Sequence, residues 1–161
     1  MADRSLHEKL ARLVFQPLKP LLEREEVSVR EKGNRYRLSL RPPLQSVVYQ
    51  VDGEIITEGE KCDKMVLVDK GSNDEWIQIL VELKGTKISK AIEQLENTLQ
   101  NKTLQHPSNK DKRARIVGRS FPGNNGNTIM AEAKKRFMKE YKCELRSLKS
   151  DQPDTISAKT K

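Results

Sequence analysis

Apolar and polar residues follow one another along this chain in short, well-bounded blocks. Leu6, Leu10, Leu13 and Val14 recur at helical spacing over residues 5–15, and Pro17 and Pro20 close that segment. Val27-Ser28-Val29 and Tyr36-Arg37-Leu38-Ser39-Leu40, separated by Gly33-Asn34, predict a strand pair with polar residues alternating outward. Arg41-Pro42-Pro43 is expected to break that pair. Residues 46–51 then predict another strand, turning at Asp52-Gly53 into Glu54-Ile55-Ile56-Thr57.

The two most apolar blocks come next. Met65-Val66-Leu67-Val68 and residues 76–83 flank Asp69-Lys70-Gly71-Ser72-Asn73-Asp74-Glu75. Blocks this short, bounded by turn formers, predict the two strands of a hairpin. Gly85 releases the second strand and Thr86 can cap a helix whose apolar stripe is Ile88, Ala91, Ile92, Leu95 and Leu99, with Gln94 at its edge. A polar connection over 100–113 leads to a short buried strand, Arg115-Ile116-Val117-Gly118. A loop over 120–127 precedes a helix capped by Asn127 or Thr128, expected to bury Ile129, Ala133, Phe137 and Tyr141. Cys143-Glu144-Leu145-Arg146-Ser147-Leu148 suits a last strand, and the polar segment from Ser150 is expected to be disordered. The order predicts an α/β chain with one domain over 1–149 and a tail over 150–161.

Composition narrows this picture. The 161 residues suit one domain. A hydrophobic content of 35% against 34% charged residues allows only a modest core, although recurring periodic segments argue against wholesale disorder. The net charge of +8 is uneven: residues 102–161 hold 15 Lys/Arg and 6 Asp/Glu, while the first 101 residues hold 16 and 17. That asymmetry points to a basic face for a polyanion. The two cysteines, Cys62 and Cys143, form neither metal spacing nor a disulfide framework. With only His7 and His106, histidine-based zinc sites and Ser-His-Asp triads are disfavoured, and no P-loop motif occurs. The first residues lack a signal-peptide run and no stretch reaches transmembrane length, so a cytoplasmic setting without a membrane is expected.

Chemistry concentrates at one end of the predicted hairpin. A strand period of two places Gln78, Leu80, Glu82 and Lys84 on one face. Pairing Val68 with Ile77 also pairs Val66 with Ile79, Met65 with Leu80, and Asp63 with Glu82. Opposed Cβ atoms lie roughly 4.5–5.5 Å apart, and opposed like charges are destabilising unless neutralised. A divalent cation with hard oxygen ligands, such as magnesium, would neutralise them. The same residues also fit a solvated hairpin end with surface ion pairs.

Asp63, then Glu82-x-Lys84 at the end of an apolar strand, then a helix, resembles the PD-(D/E)xK nuclease superfamily of restriction endonucleases, RecB-type nucleases and archaeal Holliday junction resolvases. The likeness covers residues 46–99, with a looser echo to 148. Glu-x-Lys occurs three times, at Glu82, Glu132 and Glu140, but only the first lies on an apolar strand that follows an aspartate-headed one. Cys62 stands where the motif has proline, and Thr98 where the RecB-like subgroup has tyrosine four places after its glutamine, here Gln94.

The resemblance implies a restriction-endonuclease-like core, a central mixed β-sheet with helices on its faces. It implies Mg²⁺, with Mn²⁺ as a substitute, held by Asp63, Glu82 and the backbone carbonyl of Leu83. Lys84 would orient the attacking water or stabilise phosphate charge, Gln94 would reach the carboxylates, and one of Glu8, Glu58 or Glu60 could add a ligand. The reaction implied is endonucleolytic phosphodiester hydrolysis, of DNA rather than RNA. Lys87, Arg119, Lys134 and Lys135 are candidate phosphate contacts, with Arg136 and Lys139 beside the last two. Cutting both strands would call for a homodimer. Two other classes remain open: a non-catalytic nucleic-acid-binding module of this fold, and a protein adaptor with an incidental basic tail.

Overall fold

The computed structural model describes residues 3–59, 61–71, 74–83, 87–119 and 124–157, the side chains of 124–127 excepted. In chain order these form α1 (Leu6–Arg12), β1 (Lys19–Glu31), β2 (Asn34–Gln50), β3 (Lys64–Asp69), β4 (Trp76–Glu82), α2 (Ile88–Gln100), a 3₁₀ turn (Lys102–Leu104), β5 (Asn109–Gly118), α3 (Asn124–Tyr141), β6 (Cys143–Lys149) and β7 (Pro153–Ser157). The strands make one mixed sheet ordered β1-β2-β3-β4-β5-β6, with β7 beside β2. β1 to β4 are successive antiparallel neighbours, whereas β4, β5 and β6 run parallel and β7 lies parallel to β2.

Parallel neighbours need a crossover, and α2 and α3 supply the two. Crossovers of one hand advancing in one direction across a sheet land on one face. α2 and α3 accordingly share a face with α1: Leu6, Leu10, Ile92, Leu95, Ala133 and Phe137 form one core with Met65, Leu67, Leu80, Ala114 and Ile116. The expected mixed sheet flanked by helices is found, with the three helices gathered on one face. The other face is covered by the sheet itself, since Val66, Val68, Ile77, Ile79 and Val81 pack against Val27, Tyr36, Leu38, Leu40 and Ile156 of β1, β2 and β7. β3 and β4 are therefore buried on both sides, which explains their largely apolar sequence. Their pairing follows the expected register, with Met65 opposite Leu80, Val66 opposite Ile79 and Val68 opposite Ile77.

Elsewhere the boundaries differ from expectation. β2 continues for 17 residues through Arg41-Pro42-Pro43 rather than breaking there. The prolines sit where β2 changes neighbours, with β7 beside residues 37–41 and β3 beside 46–50. Glu54-Ile55-Ile56-Thr57 is not a strand. Both Ile55 and Ile56 donate N–H bonds to the Val51 carbonyl (3.2 and 3.0 Å), closing a turn with one bridge, Asp52 to Ile56. β5 begins at Asn109, inside the expected connection, and α3 begins at Asn124. On α3 the stripe runs through Met130, Ala133 and Phe137, while Ile129 is 40% exposed.

The tail expected to be disordered from Ser150 is corrected too, because residues 153–157 return as β7; residues 158–161 lie outside the described part. A buried polar network explains the return. Arg115, fully buried on β5, donates Nε–H to Asp154 Oδ2 (2.8 Å) and NH2 to Glu144 Oε1 (2.8 Å), and Tyr36 donates its hydroxyl to Asp154 Oδ2 (2.6 Å). Burial opposes the Arg115 charge, but Asp154, Tyr36 and Glu144 more than restore it, so its pKa is raised. Burial, reinforced by Asp154, pushes the Tyr36 phenol well above its ordinary value. No helix among the described residues is long and apolar enough to cross a membrane.

Asp154→Ala would leave a buried guanidinium without its main counter-charge, which costs about 3–5 kcal/mol. Urea unfolding should show that loss as a lower midpoint at unchanged slope, whereas Tyr36→Phe, removing one hydrogen bond, should cost about 1–2 kcal/mol. An Asp154→Ala midpoint equal to wild type would mean that β7 is not held by this network.

Candidate active site

The site begins one step beyond the β3–β4 ladder. The last pair is Lys64 opposite Val81, and Asp63 and Glu82 are the next residues at the adjoining strand ends. Asp63 leaves the regular ladder: its N–H donates to the carbonyl of Val81 (3.1 Å), the ladder partner of Lys64, while its own carbonyl accepts from Val51 N–H (3.0 Å). Asp63 is 3% exposed and Glu82 0%. A solvated hairpin end is thereby excluded for these two carboxylates. Alternation puts Asp63 with Met65 and Leu67, and Glu82 with Leu80, on the face covered by the helices.

Asp63 is oriented by its neighbours. Its Oδ2 accepts the Leu83 N–H (2.9 Å), which ties the carboxylate to the end of β4. The Leu83 carbonyl in turn accepts from Asn34 Nδ2 (2.9 Å), a buried side chain in the β1–β2 turn. That bond uses one carbonyl lone pair and leaves the second. On the helix side, Thr98 is fully buried; its hydroxyl donates to the Gln94 carbonyl (2.7 Å) and accepts from the Cys62 N–H (2.9 Å). α2 is thus bonded to the residue preceding Asp63.

Gln94 lies one turn from Thr98 on the same helical face and is 7% exposed, inside the buried stripe rather than at its edge. Its Oε1 is buried without a hydrogen-bond partner among the described residues. Burial is the main reason that the Cys62 thiol is pushed far above its ordinary value; the Glu82 and Asp63 charges push it the same way, against the Thr98 hydrogen bond. Cys62 therefore feels both carboxylates at once. It is a packed thiol, not a nucleophile.

The other candidates are distributed as follows. Lys84 and Glu60 lie outside the described residues, as do Gly85 and Thr86. α2 starts at Ile88 with exposed Lys87 in the cap position and no side-chain cap bond. Glu8 belongs to the opposite end of the hairpin, lining a groove with Asp69, Asp74 and Trp76. There it accepts from the Arg4 N–H (3.0 Å), while its own N–H donates to Ser5 Oγ (3.1 Å), the reciprocal capping that the S-x-x-E spacing could have announced. Glu58 is exposed in the turn region, and Arg119, Lys134 and Lys135 are exposed. Arg136 is engaged by Glu96 of α2 through two bonds (2.9 and 3.1 Å), so it ties the helices together.

Sequence reading missed Asn34 and Thr98. Gly33-Asn34 was legible as a turn, but the buried bond from Asn34 to Leu83 spans 49 residues. Thr98 was noted only as a departure from tyrosine.

Among the described residues, no three His, Cys, Asp or Glu side chains gather to hold a metal ion. A cation here would draw on Asp63, Glu82, the free lone pair of Leu83, water and substrate. This hard-oxygen set fits magnesium, which binds through one or two carboxylates and keeps several waters; it does not suit zinc.

Two checks follow from this geometry. Thr98→Val should abolish hydrogen-exchange protection of the Cys62 amide and cost about 1–3 kcal/mol, because a buried donor loses its acceptor. Thr98→Ser should keep that protection. Cys143, pushed up to about 12 mainly by burial, and Cys62, pushed higher, are expected to resist a thiol reagent at pH 8 until the protein is unfolded. Rapid labelling of the native protein would contradict this packing.

Comparison of the chain with protein-family models, with curated proteins and with solved structures finds no match.

Proposed function

We propose that this protein is a Mg²⁺-dependent endonuclease acting on DNA, built on a restriction-endonuclease-like core. The observation that carries the reading is the pair of buried carboxylates, Asp63 just before β3 and Glu82 at the end of β4, both acting on Cys62. A pair of this kind at the open end of a buried hairpin is what a two-carboxylate phosphodiesterase requires. The Asp63–Leu83 bond adds support, since it fixes the angle at which one carboxylate is presented.

In this reading Asp63, Glu82 and the Leu83 carbonyl hold the cation, and Mn²⁺ can replace magnesium. Bound there, magnesium supplies Lewis acidity to the phosphoryl oxygen and to the attacking water. The chain's own residues do the rest. The Leu83 N–H holds Asp63 in place, and Asn34 holds the Leu83 carbonyl. Thr98 fixes α2 against Cys62, and with it the position of Gln94. Lys84, assigned by the resemblance, would orient water or stabilise charge on the phosphate in the transition state.

Cleavage of plasmid, linear single-stranded and branched DNA should require Mg²⁺ or Mn²⁺ and stop in EDTA. Lys84→Ala and Glu82→Ala should each lower the rate at least about a hundredfold. Independently of turnover, Mg²⁺ at about 100 times its Kd should stabilise the protein by roughly 2.7 kcal/mol. For a chain of this size that raises Tm by about 5–10 °C, and the rise should vanish in Glu82→Ala. A folded wild type that binds DNA but neither cuts it nor responds to metal would make the protein a non-catalytic nucleic-acid-binding module.

A further inference from the structure

The head of the β1–β2 hairpin gathers positive charge, most of which the fold does not pair among the described residues. Arg30 and Arg35 are directly opposed in the ladder, and Lys32 stands between them at φ 51°. Arg119, following β5, reaches the same spot: a Cβ placed on Gly33 would lie 2.9 Å from its NH2 atom, and Gly33 itself has φ +80°. The positive φ there favours glycine, and the Arg119 guanidinium lies beside it.

Few anions answer these cations. Asp151 pairs with Arg35, and Glu31 is taken by Lys64 (2.6 Å). The exposed side chains of Arg30, Lys32 and Arg119 have no ion pair or hydrogen bond among the described residues. Opposed like charges destabilise a hairpin, so their gathering needs a reason beyond stability.

Position supplies the reason. Asn34, the next residue after Gly33, holds the Leu83 carbonyl beside the carboxylates. At 3.8 Å per Cα step, Lys32 is within about 8 Å of Asn34, a reach of two or so phosphates along a strand. Arg30, Lys32 and Arg35 line one groove with Ser150 and Asp151.

We propose that Arg30, Lys32, Arg35 and Arg119 form a phosphate clamp that holds the backbone of the nucleic-acid strand next to the Asp63–Glu82 site. The inference rests on the nuclease reading for the identity of its ligand, but its test does not depend on cleavage. The clamp grips without reading sequence, because its contacts are charge on phosphate. Arg30 and Lys32 form its solvent-facing jaw, and Arg119 its floor over Gly33.

The test compares wild type with Arg30→Gln/Lys32→Asn, asparagine being tolerated at a left-handed backbone position. Arg4→Gln/Lys110→Gln serves as control, removing the same charge near the far end of the strands. Binding of labelled single-stranded and duplex DNA is measured in EDTA from 50 to 300 mM salt. Loss of two phosphate contacts should flatten the plot of log affinity against log salt by about 1.4 for single strands or 1.8 for duplex, and weaken binding about tenfold or more near 150 mM salt. The control should bind like wild type. Tm of the clamp variant should stay level or rise, since repulsion is relieved.

That pattern supports the clamp even if Mg²⁺-dependent cutting is never seen, in which case the nuclease reading alone falls. Equal binding by wild type and clamp variant overturns the clamp, while loss of cutting in Glu82→Ala would leave the nuclease reading standing. Absence of DNA binding by wild type at 50 mM salt also overturns it. So does polyglutamate of matched charge competing as well as DNA, which would make the patch a docking site for an acidic protein.

Discussion

The structure depends on how β3 and β4 keep their register while buried on both faces. In a strand with one wet face, a slip of one residue exposes apolar side chains and is penalised heavily. Here both faces are dry, so the apolar pattern alone discriminates weakly. The polar residues settle it. Gln78, buried within β4, donates to the Leu104 carbonyl (3.0 Å), and Lys64 reaches Glu31 and Gln50. A one-residue slip of β4 would turn Gln78 toward the opposite, apolar core and leave a buried amide unsatisfied, at about 1–3 kcal/mol. The same slip would separate Asp63 from the Leu83 N–H. The bonds that fix the hairpin thus also fix the geometry of its carboxylate end.

A second lock holds the outer half of the sheet over the first. Arg115 stands among apolar residues between the central strands and the β2–β7 layer, and Asp154 arrives there from the last strand. A buried ion pair is not a large net source of stability, because desolvation offsets much of the attraction. Its role here is better described as choosing the partner. Pro153-Asp154-Thr155-Ile156-Ser157 has little to distinguish it from any short polar segment, and the guanidinium selects the one alignment that neutralises it. Once β7 is seated, Ser150 Oγ accepts the Arg35 N–H (2.9 Å), so the hairpin head is braced from the same segment.

What the sequence made legible were the segments whose burial is written locally. The β3–β4 hairpin and its register follow from two apolar blocks and a turn, and α2 from its stripe. The outer strands were harder. Residues 19–24 carry Leu21, Leu22, Glu23 and Arg24 on a strand at the sheet edge, where the alternation is weak, and the prolines in β2 look like a stop although they mark a change of neighbour. β7 and the start of β5 depend on partners far away in sequence: Asp154 needs Arg115, 39 residues earlier. At the site, Asp63 and Glu82 were legible because they stand at the ends of the two apolar blocks. Asn34 and Thr98 were not, since each acts through a backbone group that carries no sequence signature of its own.

The topology also gives a reason to place the proposed site at this edge, apart from any likeness. β4, β5 and β6 are parallel, and their carboxyl ends carry Glu82 and Leu83, Gly118 and Arg119, and Lys149 and Ser150. In open α/β sheets, ligands settle in the crevice outside the carboxyl ends of the strands. In this protein that edge is bordered on one side by the start of α2 and on the other by the β1–β2 turn, which the folded-over sheet brings to the end of β4 through Asn34. The chain path therefore brings the buried carboxylates and the exposed cations of the β1–β2 turn to one edge of the sheet. The carboxylates lie under the helices at the strand ends, and the cations stand on the turn above them. On the nuclease proposal, that arrangement would set the cations against a phosphodiester backbone and the carboxylates against the bond to be cut.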